Sequence, residues 1–340
     1  MKIWNFGVIG AGLIADFHAK AISDLPNAKL IGVCDNIAQK ANALAEKYGC
    51  KSFTNYEKML AESDIDILTI ATPSGFHMEP VIAAAKAGKH VICEKPLEIT
   101  LERIDAMIEA HKKAGTHLGC VFQNRFTDAM IHLRQAISQG RFGTVTYAGA
   151  YVPWWRNDEY YKNSWRGTWK MDGGGALMNQ SIHMIDMLCN LMGPVESLKA
   201  FTATLAHDIE TEDTAVAVLK FKNKALGIIY GTSASYPGQL KRFEISGTKG
   251  TVIYLEDSFS VWQFAEEKPE DIEIREKFAK ISGLGGVANP ANIKHEGHTK
   301  NFAAFLEALQ DGGKFALDGS EGRKAVELIL KIYDSAKNIK

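Results

Sequence analysis

The sequence predicts an α/β protein with two domains, a parallel sheet covered by helices in residues 1–122 and a mostly antiparallel sheet in residues 123–340. Three observations support this prediction. Apolar strands alternate with helical segments through the first part, which is typical of parallel sheets. A glycine-rich turn follows the first strand. After residue 194, strand patterns follow one another without helices between them, and such strands pair antiparallel.

The composition is that of an ordinary globular protein. Apolar residues make up 46% of the chain, charged residues 23%, and the net charge is −1, so no basic surface for nucleic acid or anionic membrane is expected. No apolar run approaches the roughly 20 residues of a membrane span. The start, MKIWNFGVIG, resembles a first strand rather than a secretory signal. The five cysteines form no CxxC pair, which favours reduced thiols and a cytoplasmic protein.

The first turn matches a dinucleotide-binding motif. In segment 3–15 a strand leads into the pattern G-x-G-x-x-A at Gly10, Gly12 and Ala15. The first glycine permits a tight turn, the second lets the backbone approach a pyrophosphate, and the alanine lets the helix pack close to the strand. The helix N-terminus presents free N–H groups to the phosphates. The turn residues predicted to bind the cofactor are Gly10, Ala11, Gly12, Leu13 and Ile14.

The residue at the end of the second predicted strand indicates which dinucleotide binds. The apolar stretch 29–34 ends at Asp35, at the spacing expected for the carboxylate that accepts hydrogen bonds from the ribose hydroxyls. A carboxylate there repels a 2′-phosphate, and no arginine follows it. The sequence therefore predicts a Rossmann fold with NAD as the cofactor, rather than NADP.

Strands and helices continue to alternate as far as residue 122. The predicted strands are residues 65–70, 90–93 and 117–122, and the predicted helices are residues 56–61, 79–87 and 101–114. Ligands of such sheets bind at the carboxyl ends of the strands. The residues that follow these strands, and that we expect at one rim, are Asp35, Thr72, Pro73, Glu94, Lys95, Pro96, Gln123, Asn124 and Arg125.

Lys95 is the most informative residue of this rim. A lysine directly after a buried strand can hold a substrate hydroxyl and have its pKa lowered by desolvation. A surface lysine paired with Glu94 is the alternative. His77, in the segment TPSGFH, either lines the cleft or caps the following helix. The predicted cofactor contacts outside the glycine turn are Asp35, Thr72, Pro73, His77, Glu94, Lys95 and Asn124.

A second group of polar residues lies in segment 173–186, GGGALMNQSIHMID. On an α-helix Asn179, His183 and Asp186 share one face, at positions i, i+4 and i+7. A histidine held between an amide and a carboxylate can be oriented for proton transfer. We interpret it as catalytic because a redox cofactor is predicted in the first domain.

Aromatic and basic residues are concentrated just before this segment, in residues 151–171. Aromatic rings stack on sugar faces and bases, and arginines pair with phosphate or carboxylate. The segment is therefore predicted to contact the substrate, although packing on its own domain or on another subunit is the alternative for each ring. The residues predicted to bind the substrate are Lys95, Arg125, Trp154, Arg156, Tyr160, Trp165, Arg166, Asn179 and His183.

Four motifs in this order, GAGLIA, ATPSGFH, CEKPL and GGGALMNQSIHMID, resemble those of the Gfo/Idh/MocA family, the group of glucose–fructose oxidoreductase and inositol dehydrogenase. The resemblance covers nearly the whole chain. It implies a Rossmann domain and a C-terminal α+β domain whose large, mostly antiparallel open sheet joins subunits into homodimers or homotetramers. It implies oxidation or reduction of a carbinol on a sugar, cyclitol or nucleotide sugar with NAD(P). It also suggests a cis Lys95–Pro96 bond, and Trp165–Arg166 matches a WRG element of the family.

Carried onto this chain, the resemblance assigns the family's EKP lysine to Lys95 and its helix histidine to His183. Inositol-dehydrogenase-like members usually have aspartate four residues before the histidine, where this chain has Asn179. Asparagine is more similar to the nucleotide-sugar 3-dehydrogenase branch, in which lysine and histidine are the main catalytic pair. Asn179 is then an orienting partner, and Asp186 supports the site or packs the helix.

The remaining stretches are assigned by their patterns. A helix is predicted at 127–138, followed by strands at 144–152, 195–205, 213–221, 225–230, 241–247 and 250–255. Residues 265–290, charged and then glycine-rich, are expected to form a mobile loop. His295 and His298 form an H-x-x-H pair without further ligands at supporting spacing, so no metal site is predicted.

The sequence thus predicts an NAD-dependent oxidoreductase that moves a hydride between nicotinamide and a secondary carbinol of a sugar-like substrate. Lys95 would hold the oxygen, and His183 would act as general acid/base, oriented by Asn179. Two alternatives remain open: an NAD-binding sensor or partner-binding module without catalysis, and glycoside cleavage through transient oxidation. A sensor needs the glycine motif but neither Lys95 nor His183.

Overall fold

The computed structural model describes residues 2–62, 64–162, 164–279 and 295–338. The chain forms two compact units. The first unit consists of Met1–Gln123 and Ala291–Val326, and the second of Asn124–Pro290 and Glu327–Lys340. The first unit therefore includes a late stretch of the chain that the predicted division at residue 122 assigns to the second domain.

Thirteen strands and eleven α-helices are defined within the described residues, and we number them in chain order. The elements are β1 (Trp4–Ile9), α1 (Leu13–Ser23), β2 (Ala28–Cys34), α2 (Ala38–Tyr48), β3 (Lys51–Phe53), α3 (Tyr56–Glu62), β4 (Ile67–Ile70), α4 (Met78–Lys86), β5 (His90–Cys93), α5 (Leu101–Ala114), β6 (Leu118–Cys120), α6 (Asp128–Ser138), β7 (Val145–Pro153), α7 (Asp158–Tyr161), α8 (Ile182–Met192), β8 (Val195–Ala203), β9 (Thr214–Phe221), β10 (Leu226–Thr232), β11 (Arg242–Gly247), β12 (Gly250–Leu255), β13 (Ser258–Phe264), α9 (Pro269–Lys277), α10 (Glu296–Gln310) and α11 (Gly319–Lys337). A π-helical turn, Ala176–Ser181, leads into α8.

A six-stranded parallel sheet forms the centre of the first unit. Its strand order is β3-β2-β1-β4-β5-β6, which confirms the predicted Rossmann fold. Every residue of β4 is buried, as expected for a strand covered by helices on both faces. The strands that precede β4 in the chain are added on one side of β1, and those from β4 onward on the other side, so the strand order reverses between β1 and β4. Ligands of such sheets bind at the carboxyl ends of the strands beside this point.

Helix α10 belongs to the first unit because its apolar side packs there. The Phe302 ring lies 5.9 Å from that of Phe6 on β1, and the Asn301 side chain accepts a hydrogen bond of 3.1 Å from the backbone N–H of Phe122. His298 reaches the neighbourhood of His18 on α1, with 5.6 Å between ring centroids. These contacts explain why the described residues 295–326 complete the first core rather than the second.

A seven-stranded sheet forms the centre of the second unit. Its order is β13-β12-β11-β7-β10-β9-β8, and every neighbouring pair is antiparallel except β7 and β10. The predicted mostly antiparallel sheet is confirmed, but β7 is inserted between β10 and β11, which patterns along the chain do not indicate. Helix α8 packs on β7 and β11 and buries Met184, Ile185 and Leu188.

The predicted loop 265–290 is wrong in its first half, because α9 occupies Pro269–Lys277. Proline stands at the start of this helix, and the Asp271 carboxylate accepts a hydrogen bond of 2.8 Å from the N–H of Lys268. Asp271 also pairs with Arg141 at 2.6 Å, so long-range contacts stabilise a segment whose polar sequence resembles a loop. Beyond residue 279 the predicted loop lies outside the described residues. Within the described part of the chain, no helix has the length and apolarity needed to cross a bilayer.

Candidate functional site

The glycine turn of the first unit has the close packing that the motif requires. Gly10 has a φ of +95°, and a Cβ there would lie 2.5 Å from the carbonyl oxygen of Ala71. A side chain at Gly10 is therefore excluded both by backbone conformation and by space. A Cβ on Gly12 would meet nothing within 4 Å, so the turn is open on the side from which a pyrophosphate approaches. Helix α1 begins directly after Gly12.

Asp35 lies at the same rim and is bound to the glycine turn. Its carboxylate accepts hydrogen bonds of 2.8 Å from the N–H groups of Ala11 and Ile37. Three large apolar side chains are exposed after β1, β2 and β4: Leu13 at the start of α1 (50% exposed), Ile37 (44%) and Phe76 (52%). An open glycine turn, an anchored carboxylate and exposed apolar side chains together fit a dinucleotide with flat rings and ribose hydroxyls. Of the predicted cofactor residues, this rim brings together Gly10, Ala11, Gly12, Leu13, Ile14, Asp35, Thr72 and Pro73.

His77 does not line the cleft. It is 1% exposed, its Nε2 lies 3.0 Å from the carbonyl oxygen of Thr72, and its Nδ1 lies 3.0 Å from that of Pro96. Its side chain forms no cap hydrogen bond to α4 either. His77 instead links the loop after β4 to the loop after β5, so its contribution to the rim is to hold these two loops together.

Glu94 is buried at the end of β5 and does not present its carboxylate to the rim. Its Oε1 lies 2.9 Å from Nε2 of His18 and 3.7 Å from Nε2 of His298, and its Oε2 accepts a hydrogen bond of 3.0 Å from the N–H of Lys95. Burial opposes the ionised form, but the two imidazoles hold the pKa of Glu94 well below its usual value. Burial lowers the pKa of His18. Nδ1 of His18 is 2.7 Å from Oγ1 of Thr69, so a neutral ring donates to Glu94 and accepts from Thr69.

The group His18, Glu94 and His298 contains the residue types of a metal site. Its closest distance, between His18 and Glu94, is that of a direct hydrogen bond, and Thr69 satisfies the second nitrogen of His18. A neutral His18 therefore needs no ion to account for its contacts. In the sequence, His298 stands out only as half of an H-x-x-H pair, and no motif marks His18.

Lys95 follows this buried group and is set apart from its neighbours by exposure. Within residues 91–98, all of which are described, Lys95 alone is partly exposed and the other seven residues are buried. The Lys95–Pro96 bond is cis, as the resemblance suggested. Lys95 is therefore a partly exposed residue in an otherwise buried segment at the carboxyl edge of the sheet, where the cofactor motif lies.

Two polar side chains of the second unit are distinguished in the same way. Within residues 172–188, all of which are described, Asn179 and His183 alone are partly exposed. The predicted α-helical spacing of Asn179, His183 and Asp186 is wrong in part, because Asn179 lies in the π-helical turn and only His183 and Asp186 lie in α8. π-Helical turns are frequent at functional sites. The structure therefore presents one amide and one imidazole from an otherwise buried segment.

Asn179 is held by a hydrogen-bond chain that the sequence did not reveal. Its amide nitrogen donates to Oδ1 of Asp172 at 2.8 Å, and Oδ2 of Asp172, which is 1% exposed, accepts from the N–H of Gly167 at 2.9 Å. On its other side, the Tyr160 hydroxyl lies 3.4 Å from the Asn179 oxygen and accepts from Gln180 at 3.2 Å. Asn179 is thus an oriented amide, and its role as a partner of the histidine stays a prediction.

The aromatic segment has a centre at Tyr160. The guanidinium carbon of Arg166 lies 4.6 Å from the centre of the Tyr160 ring, and that of Arg156 lies 5.2 Å from it. Arg156 also lies 5.0 Å from Trp154, and Arg166 lies 5.3 Å from Trp165. The predicted substrate residues Trp154, Arg156, Tyr160, Trp165 and Arg166 therefore form one cation–π group, and Tyr160 connects it to Asn179.

Arg125 and Asp186 form a buried pair. The guanidinium donates to both carboxylate oxygens of Asp186 at 2.7 and 2.6 Å, and the two residues are 5% and 0% exposed. Asp186 therefore packs α8 rather than sharing an exposed face with His183. Two donors of Arg125 are already engaged, so its substrate contact stays a prediction, as does the cofactor contact of Asn124, which is partly exposed at the start of the second unit.

The triple glycine before the π-helical turn allows an unusually close backbone approach. The carbonyl oxygen of Glu212 accepts a hydrogen bond of 3.0 Å from Ala176, and the Glu212 carboxyl accepts hydrogen bonds of 2.9 Å from the N–H groups of Gly175 and Leu177. Tyr333 donates to the same carboxyl at 2.9 Å. Glu212 therefore satisfies the free N–H groups at the start of the segment that carries Asn179 and His183.

Glu212 makes stability depend on pH. Burial raises its pKa from 4.5 to about 7, against the lowering effect of its hydrogen bonds. Between these values the unfolded chain releases the proton and the folded chain keeps it, so stability falls as the pH rises, by about 3 kcal/mol in total. Glu212→Gln, which cannot ionise, is expected to remove this part of the slope. Urea unfolding of both proteins from pH 4.5 to 7.5 measures the difference.

The exposed Glu102→Gln is the matched control for this experiment, because it removes one carboxyl without touching the buried cap. Its stability curve should run parallel to that of the unchanged protein. If Glu212→Gln also runs parallel, the buried carboxyl does not titrate in this range and the prediction is wrong.

Comparisons with known proteins agree with this geometry. A family model described as an oxidoreductase family with an NAD-binding Rossmann fold matches residues 4–122, and one described as the GFO/IDH/MocA C-terminal domain matches residues 130–253. Myo-inositol 2-dehydrogenase of Thermotoga maritima is 32% identical over 332 residues, covering 95% of this chain and 93% of its own. Levoglucosan dehydrogenase of Pseudarthrobacter phenanthrenivorans is 28% identical over 377 residues, covering 99% of this chain and 97% of its own.

A solved structure is similar over the same extent. The WlbA dehydrogenase of Bordetella pertussis, in complex with NADH and UDP-GlcNAcA, is 36% identical, with a TM-score of 0.90 over 99% of this chain and 96% of that one. The matches confirm the predicted family and support the prediction that the cofactor is NAD.

Proposed function

We propose that this chain, which belongs to the Gfo/Idh/MocA family of oxidoreductases, is an NAD-dependent dehydrogenase. It acts on a secondary carbinol of a sugar-like substrate. The observation that carries the proposal is the selective exposure of three polar side chains. Lys95 in the first unit, and Asn179 and His183 in the second, each emerge from a buried segment. A sensor that only bound NAD would have no use for a lysine, an amide and an imidazole presented in this way.

Each of these side chains has a role that its surroundings support. When bound, NAD supplies the acceptor for the substrate hydride. Lys95 holds the carbinol oxygen and stabilises the charge that develops on it. His183 takes the hydroxyl proton as the carbonyl forms, and returns it in the reverse direction. Asn179, fixed by Asp172, orients the substrate or the imidazole.

We propose a nucleotide sugar as the substrate class. The relative with UDP-GlcNAcA bound is 36% identical over nearly the whole chain, whereas the cyclitol and anhydrosugar relatives named above are 32% and 28% identical. Asn179 departs from the aspartate usual in inositol-dehydrogenase-like members. Arg166, which is partly exposed, supplies a cation for a diphosphate, and the Tyr160 ring supplies a flat face for a sugar or base. Arg156 lies on the same ring and is 5% exposed.

The test is a panel of candidate substrates assayed by the absorbance of NADH. We expect UDP-GlcNAcA or a related nucleotide sugar to reduce NAD fastest, and myo-inositol and levoglucosan to react more slowly. Fastest turnover of a free cyclitol would overturn the substrate class. Absence of NADH formation with every member would favour the sensor, and release of an aglycone without net NADH would favour glycoside cleavage.

We propose that NAD is preferred over NADP because of Asp35, whose carboxylate is anchored to the glycine turn. Asp35→Ser removes the negative charge that repels a 2′-phosphate, and we expect the ratio of kcat/KM for NAD to that for NADP to fall by at least about tenfold. Steady-state kinetics with both cofactors measure this ratio. An unchanged ratio would show that other residues set the preference.

We propose that the chain forms homodimers or homotetramers through its second sheet. One face of β9 is buried and the other exposes Val216 and Val218, at 43% and 53%. On the neighbouring strands Phe201, 68% exposed, pairs in register with Val216, and Leu226 is 58% exposed. An exposed apolar sheet face of this kind is typical of an interaction surface. Light scattering of the purified protein would show a monomer if the proposal is wrong.

We propose a cytoplasmic location from the cysteines. All five lie in the described part of the chain, and none is in a disulfide. Disulfides are common in oxidising compartments and rare in the cytosol. Cell fractionation checks this proposal, and recovery of the protein outside the cytoplasm would contradict it.

A further inference from the structure

His18 lies on the helix that begins at the cofactor turn, yet neither its position nor its type is required by the dinucleotide motif. It is 0% exposed, and its two ring nitrogens are directed at two different elements of the sheet. Nδ1 lies 2.7 Å from Thr69 on β4, and Nε2 lies 2.9 Å from Glu94 at the end of β5. The imidazole therefore joins helix α1 to strand β4 and to the residue that follows strand β5.

The second carboxylate oxygen of Glu94 extends this set of hydrogen bonds to the backbone of Lys95. Oε2 accepts the N–H of Lys95 at 3.0 Å, while the backbone N–H of Glu94 donates to Ile70 at 3.0 Å. His18, Glu94 and the backbone of Lys95 thus form a continuous chain of hydrogen bonds inside one unit. Each link is buried or partly buried, where hydrogen bonds are little screened by water.

We infer that His18 is a positioning residue, which through Glu94 holds the backbone of Lys95 in register with the helix that receives the dinucleotide. This inference rests on the proposed function of Lys95. Without the donor from His18, Oε1 of Glu94 has His298 as its nearest side-chain neighbour, with Nε2 3.7 Å away, and the carboxylate turns towards that ring. The Lys95 N–H then loses its acceptor. A shift of about 1 Å at a reacting group can lower turnover about a hundredfold.

Two substitutions of His18 separate positioning from packing. The amide of asparagine lies where Nδ1 lies, so His18→Asn keeps a partner for Thr69 and removes the bond to Glu94. The longer glutamine places its amide near the position of Nε2, so His18→Gln keeps a donor for Glu94. Both variants are smaller in bulk than histidine and polar, and we expect them to lose similar amounts of stability.

The matched control is His111→Leu. His111 is a buried histidine of α5 in the same unit, 2% exposed, and its Nδ1 lies 2.8 Å from Oγ1 of Thr116. The changes in stability and kcat in this variant measure the general effect of removing a buried imidazole from this fold. Because His111 is not among the partners described for Glu94, this variant leaves the hydrogen bonds from His18 and Lys95 in place.

The experiment measures kcat, the deuterium isotope effect and the reactivity of Lys95, using NAD and UDP-GlcNAcA or the fastest substrate of the panel. We expect His18→Asn to lower kcat by about 10- to 100-fold with a larger isotope effect, and His18→Gln and His111→Leu to stay within about threefold. Reductive methylation of Lys95 without substrate, followed by peptide mass spectrometry, should change in rate by at least about threefold in His18→Asn alone.

Three results would overturn the inference. Equal kcat and equal Lys95 reactivity in His18→Asn and His18→Gln would show that His18 only packs the core. An equal loss in His111→Leu would show that stability, not position, controls turnover. One equivalent of a transition metal found by elemental analysis, and lost in His18→Asn, would make the group a metal site. Retained turnover in Lys95→Ala would instead refute the proposed function, while the methylation assay still tests the link.

Discussion

Lys95→Ala and His183→Ala are each expected to lower kcat by about a thousandfold while NAD binding stays within about threefold. The reason is that in the proposed mechanism both side chains act on the substrate oxygen, and neither belongs to the glycine turn or to Asp35, which we propose to hold the cofactor. Fluorescence titration with NADH and steady-state kinetics measure the two effects separately.

Lys86→Ala and Asn190→Ala are suitable controls. Lys86 is exposed on α4 in the same unit as Lys95, and Asn190 is partly exposed on α8, two turns beyond His183. Both controls should keep the kcat of the unchanged protein. If Lys95→Ala and His183→Ala also keep it, the acid–base assignment is refuted, whatever the substrate proves to be.

Gly175→Ala is expected to have the largest effect on stability. A Cβ at this position would lie 1.8 Å from the carbonyl oxygen of Glu212, an atom of the backbone that cannot turn aside as a side chain can. The segment must move, and the bonds from Gly175 and Leu177 to the Glu212 carboxyl are lost with it. We expect a loss of at least about 3 kcal/mol and a fall in Tm of about 5 °C or more.

Gly313→Ala is the control for that substitution, because a Cβ there meets nothing within 4 Å. Calorimetry should find its Tm within about 2 °C of the unchanged protein. The same shift in both variants would mean that the cost lies in replacing glycine as such, and the contact with Glu212 would not be the cause.

The first half of the fold was predictable because its signals are local. The strand at 90–93 and the helix at 101–114 were predicted with the bounds that the structure has. Helix α5 starts after Thr100, whose hydroxyl accepts from Arg103, and ends at Gly115 with a φ of 66°. Lys95 and Asp35 were also identified, since position after a strand is itself a local property.

The contacts that support the site were not predictable, because each joins residues far apart in the chain. Glu94 meets His298, Asp172 fixes Asn179 through a buried carboxylate, and Glu212 binds Tyr333. A pattern shows that a polar residue stands in an apolar stretch, but not which partner satisfies it. Among these partners, Asp172 came closest to being indicated by the sequence, because it stands directly before the triple glycine of the Asn179 segment. The π-helical turn was missed because apolar spacing alone does not distinguish it from an α-helical one.

The central place of β7 in its sheet has a consequence for synthesis on the ribosome. β7 is made first of the seven strands, yet its neighbours β10 and β11 follow only at Leu226–Thr232 and Arg242–Gly247. At about 5–20 residues per second, both edges of β7 wait roughly 5–20 seconds for a partner, and unpaired edges invite aggregation. The last contribution to each unit then comes from the single helix α11, which continues from one into the other. The nascent chain therefore completes its first and its second unit at nearly the same moment. Protection by chaperones matters until helix α11 has emerged from the ribosome.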